Sequence, residues 1–200
     1  MAAEDRLQKA KHCLDELRIL LDKDKTGQLE RPNLIRYELE DFLAAAKSLP
    51  DHILEDYNDK FKLRITLDDR LDLGLFKHKA QQLQNQGAIS FAKWYENSLA
   101  ILYQDPICLF LKSVRDVSIH RKEIKPVATR GISASIDVLI GNPEDFKDLK
   151  AETTPETNGP KTMTFGWFLP QYPDQDISSL CEHYFAKLKD FLEQARSNFS

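Results

Sequence analysis

Arg115 and His120 stand five residues apart, and Arg121, Lys122 and Lys125 follow at once. An imidazole titrates near pH ~6.5, so at neutral pH it both takes and gives protons. A guanidinium offers a planar fork of donors suited to an anion's oxygens. Asp116 lies between them. A proton-transfer group, a fixed cation and further basic residues thus converge on Lys112–Lys125. These residue types suit metal-independent acid–base chemistry. The plainer reading is a solvated helix end, where cations also suit the helix dipole.

Other chemistries find little support in the residue spacing. His12, His52, His78, His120 and His183 never stand three or four apart, and no paired cysteine motif occurs. The seven glycines are scattered and build no phosphate-cradling loop. Gly131-Ile132-Ser133-Ala134-Ser135 lacks the second glycine of a nucleophile elbow. Cys13, Cys108 and Cys181 are odd in number and far apart, so they read as small buried hydrophobes in a reducing, cytoplasmic setting.

The elements that must carry the basic cluster are helical. Ile107, Phe110, Leu111, Val114 and Val117 form one stripe of a helix, with Asp105 as N-cap and Pro106 at its first position. Upstream, residues 3–24 repeat Leu7, Ala10, Leu14, Leu17 and Leu21 at helical spacing. A second helix runs from Asn33 to about Asp59, with Leu39, Phe42, Ala46, Leu49, Ile53 and Tyr57 on one side. Pro50 should kink or split it. Residues 60–87 hold a weaker helix, with Thr66 as a candidate cap. Ile89–Tyr103 is stronger, and its Trp94-Tyr95 pair reads as core rather than as a base-stacking platform.

After Lys125 the period changes to two. Ile132, Ala134, Ile136, Val138 and Ile140 alternate with polar residues, and so do Met163, Phe165, Trp167 and Leu169. Between them, Gly141–Lys161 reads as a long surface loop. Pro170 and Pro173 should stop the second strand, and Asp174 or Asp176 should cap a last helix. The expected fold is mainly α: a four- to five-helix up-and-down bundle. A two-stranded β-hairpin is inserted before the last helix, at about residues 126–170 of a single domain spanning 1–200.

Composition sets the outer bounds. The chain has 200 residues, is 42% apolar and carries a net charge of −4. A broad face for duplex DNA is disfavoured. No apolar run reaches the ~18 residues of a membrane span, and the charged start lacks the apolar core of a signal peptide. A cytoplasmic protein with no membrane association is the expectation.

Arg115-Asp116-Val117-Ser118-Ile119-His120 resembles the arginine, polar residue, spacer and histidine signature of HEPN domains. Tyr37–Ser48 is also similar to the second helix of a group of bacterial proteins of this size. The resemblance covers residues 1–125 and 174–197. It implies an all-helical bundle, and for many members a ribonuclease of toxin–antitoxin, defence or RNA-processing systems. His120 would then act as general acid or base on the ribose 2′-hydroxyl or the leaving 5′-oxygen. Arg115 would hold the scissile phosphate, and Asp116 would orient one of them. Asp116 departs from the asparagine often found there and adds repulsion toward phosphate. Lys112, Arg121, Lys122 and Lys125 would contact RNA. Lys112 to Arg130 holds six Lys/Arg against Asp116 and Glu123. The resemblance calls for no metal or cofactor. It implies a homodimer, with RNA and a cognate antitoxin or nucleotidyltransferase-like protein as partners.

On a straight helix, residues five apart lie about 140° around the axis. Either the helix breaks near Ser118 or two subunits juxtapose their motifs across a twofold axis. Two other readings share the architecture: a non-catalytic module that binds a nucleotide, RNA or a protein, and a structural protein that dimerises through the hairpin.

Overall fold

Periodic apolar residues close the first two helices into a pair. α1 (Ala2–Lys25) buries Ala3, Ala10, Cys13, Leu14, Leu17 and Leu21, and α2 (Asn33–Lys60) packs Leu39, Phe42, Ala46 and Leu49 in the same core. The computed structural model describes residues 2–26, 28, 31, 33–66, 69, 71–119, 127–132, 163–169 and 171–200. For residues 115–119, 127–132, 163–166 and 173 that description covers the backbone only.

Pro50 does not split α2, which runs unbroken from Asn33 to Lys60. Its ring forgoes one backbone bond, but Ala46, Leu49, Ile53 and Tyr57 are buried on both sides of it. Interrupting that stripe would expose far more apolar surface than one hydrogen bond offsets. The helix ends in a Schellman turn. Leu63 N–H donates to the Asn58 carbonyl (3.0 Å), Lys62 N–H donates to that of Asp59 (3.1 Å), and Lys62 takes φ 55°.

α3 (Leu73–Gln82) is the weak helix of the 60–87 segment. Its cap is Asp72, whose side chain accepts from Leu75 N–H at 2.7 Å. Thr66, the expected cap, is engaged elsewhere: its N–H and hydroxyl both donate to Asp69 Oδ2, at 3.0 and 2.8 Å. A second Schellman turn ends α3, with Gln84 at φ 50°. α4 (Gln86–Leu102) starts on the Asn85 cap and supplies the aromatic centre. Phe91 stacks on Tyr57 at 4.1 Å between centroids, and Trp94 stacks on Phe191 at 5.5 Å. The Trp94-Tyr95 pair is therefore core.

α5 (Pro106–Ile119) packs on α2 and on α6 (Ile177–Asn198), and α6 also meets α1 and α4. Asp176 caps α6 by accepting from Ser179 N–H at 3.0 Å. The described residues thus hold six helices rather than four or five.

β1 (Val127–Ile132) and β2 (Met163–Leu169) form the antiparallel hairpin, with Val127 opposite Phe168 and Ile132 opposite Met163. The alternating stretch 133–140 and the loop 141–161 lie outside the described residues. A third strand, β3 (Tyr172–Asp176), pairs antiparallel with β2 across a bulge at Phe168/Leu169. The hairpin is as expected, and β2 ends at Leu169, before Pro170. The third strand lies outside that expectation, and Pro173 is tolerated in it because it lies at the edge of the sheet. Leu169 is buried, and Trp167 Nε1 donates to Asp24 Oδ2 at 2.7 Å, anchoring the sheet to α1. No helix among the described residues is long and apolar enough to cross a membrane.

Candidate functional site

Both ends of α5 carry polar chemistry. At its start, Asp105 is the expected N-cap: Oδ1 accepts from Ile107 N–H at 3.0 Å and Cys108 N–H at 3.1 Å. Its Oδ2 lies 2.7 Å from His183 Nε2 on α6. Burial raises the Asp105 carboxyl, but the His183 contact and the capped amides outweigh it, and the group lies below the usual carboxylate range. Cys108 is fully buried beside it. Burial, reinforced by the Asp105 charge, pushes the Cys108 thiol up to about 12, so it stays protonated at neutral pH and is no nucleophile.

Asp105, Cys108 and His183 bring three ligand atoms within 4.8 Å of one another. Ligands around tetrahedral zinc keep about 3.3–3.6 Å between them, given the usual bond lengths. The 2.7 Å His183–Asp105 contact is shorter than that. As folded, the cluster is a hydrogen-bonded clamp between the start of α5 and α6 rather than an assembled metal centre. Spacing could show Asp105 and Cys108 on one helical turn, but nothing local announces His183, 78 residues away.

Midway along α5, Lys112 is half-buried, with Nζ 4.0 Å from the Tyr103 ring centroid. That is cation–π geometry, and it occupies one of the four cations assigned to RNA. Arg115 and Asp116 lie near the C-terminus of α5, their side chains outside the described residues. His120, Arg121, Lys122 and Lys125 lie outside them as well. α5 continues through Ile119, so it does not break near Ser118.

A cleft of about 480 Å³ between α1 and the sheet holds none of these residues. Its charges are largely paired: Arg18 with Glu182 (2.6 Å), Lys25 with Asp22 (3.4 Å), and Asp24 with the Trp167 indole. Its lining carries Asp22, Asp24, Asp174 and Asp176 against Arg18 and Lys25, which does not suit an anion such as phosphate. No family model matches the chain, and no curated protein or solved structure matches it either.

Proposed function

We propose that this chain is a HEPN-like helical protein acting as a homodimeric, metal-independent endoribonuclease through Arg115 and His120. The observation that carries this reading is the Arg115-Asp116-x-x-x-His120 spacing, with Arg115 on α5, which runs through Ile119. On a straight helix, residues five apart point about 140° away from each other. In this reading two protomers complete one cleft. His120 takes the proton of the ribose 2′-hydroxyl, whose oxygen attacks the adjacent phosphorus. Arg115 stabilises the charge that develops on the phosphoryl oxygens. The P–O5′ bond breaks, the 5′-oxygen is protonated, and a 2′,3′-cyclic phosphate remains.

The test is purified protein with end-labelled RNA. Replacing His120 by Ala should lower cleavage by at least about 100-fold with the far-UV spectrum unchanged, and EDTA should leave the rate of the unmodified chain intact. Cleavage at full rate by the His120→Ala protein would sink the proposal.

A second reading has its own observation. Lys112 is engaged on Tyr103, and Asp116 would repel phosphate. Both favour a non-catalytic module that binds RNA, a nucleotide or a protein partner such as an antitoxin. RNA retained without cleavage selects that module.

A further inference from the structure

Leu63 and Ile65 are buried, at 2% and 6% exposure, while Lys62 and Arg64 between and beside them are exposed. The loop is held in this alternation by Asn58, a buried polar side chain. Asn58 Oδ1 accepts from Ile65 N–H, and its Nδ2 donates to Ile65 C=O, both at 3.1 Å. From the other side, Asn85 Nδ2 donates to Phe61 C=O at 3.3 Å. Lys62 and Arg64 both sit in the left-handed region, at φ 55° and 59°. That conformation disfavours any residue that carries a side chain. The helix cap accounts for the backbone at Lys62, but glycine is the usual residue there.

Lys79 of α3 faces the same cleft, of about 440 Å³, whose wall also includes Gln82 and Leu83. Among the described residues no acid lines it, and Lys62, Arg64 and Lys79 make no side-chain ion pair there. The charge of Asp69 reaches Lys79, but Asp69 is itself held by Thr66. Leu83, 53% exposed, adds an apolar surface beside the cations.

We infer that this cleft between the α2–α3 loop and α3 binds the phosphodiester backbone of a single-stranded polynucleotide, with Lys62, Arg64 and Lys79 on phosphates and Leu83 under a base. Lys62 and Arg64 on a pinned loop and Lys79 on α3, unpaired among the described residues, meet a strand's regularly spaced charges at little ordering cost. An apolar neighbour suits a base better than it suits an acidic side chain. This deepens the reading of RNA as ligand, and it does not depend on RNA being cut.

The test is fluorescence anisotropy with a labelled 20-nucleotide single-stranded RNA from 50 to 200 mM salt. All proteins carry His120→Ala so that the strand survives. Adding Lys62→Gln, Arg64→Gln and Lys79→Gln should weaken binding about tenfold or more at 50 mM salt. It should also flatten the log K against log salt slope by about 2, at about 0.7 for each phosphate no longer neutralised. Lys62→Gly alone should raise the melting temperature, because glycine relaxes the cap, yet lower affinity. A cation with a purely structural role would not separate those two effects. Overturning results are an unchanged slope in the triple variant, no RNA bound at 50 mM salt, or equally tight binding of polyglutamate. Cleavage by the chain with His120 intact is scored separately, so loss of the nuclease reading is distinguishable from loss of this site.

Discussion

Asn58 sets the shape of the cationic loop through two hydrogen bonds to one buried residue, Ile65. Replacing it with Ala would leave the Ile65 N–H and C=O without partners where water does not reach. We expect a loss of about 2–4 kcal/mol in denaturant-unfolding stability. The Asp105 carboxylate makes a pH argument at the same scale. Its folded pKa lies below the ordinary value. Its charge therefore stabilises the fold above that ordinary value, about 3.9, and the contribution is lost as pH falls through the folded pKa. Asp105→Asn keeps a good capping oxygen but removes the charge facing His183. The variant should be less stable near pH 6, with the gap closing as pH drops below about 4. Unfolding midpoints measured across that range check it, and a gap constant with pH would count against the charge.

At the scale of elements, the pairing of α1 with α2 supplies a large part of the buried surface. Leu39 is fully buried in α2. Leu39→Ala should cost about 3 kcal/mol, from lost burial plus the cavity left behind. The sheet is held more lightly. Trp167 is half-buried and reaches α1 through one indole bond to Asp24. Trp167→Phe keeps most of the ring surface and removes that bond, so the expected loss is about 1 kcal/mol. Hydrogen exchange of β2 amides should speed up in that variant, while α2 amides stay protected to the same degree.

For the whole molecule, the proposed nuclease cleft is built from two copies, because residues five apart on a straight helix point about 140° away from each other. Sedimentation equilibrium should then give twice the 23.1 kDa chain mass. Specific activity should fall on dilution as dimers dissociate. A monomer that cleaves RNA at full rate would remove the composite site. The phosphate-binding cleft makes no such demand, because Lys62, Arg64 and Lys79 lie on one chain.

What the sequence alone determined is what neighbours within a few residues decide. The three- and four-residue periods place α1, α2, α4 and α6 to within a few positions. Asp105 is legible as a cap, and Asp176 as one of two candidates with Asp174, because a capping oxygen acts only on the next two or three amides. The three cysteines read as small hydrophobes, and all are buried and free. Tertiary structure alone decided the rest. His183 meets Asp105 because α6 packs against α5, and no local pattern carries that information. β2 ends at the stop expected of Pro170, but β3 forms because β2 offers an open edge, which no local pattern announces. In the sequence, Lys62 and Arg64 are ordinary loop cations. Their place beside Lys79 follows from a buried asparagine and a left-handed helix cap, both of which exist only once α2, α3 and α4 have come together.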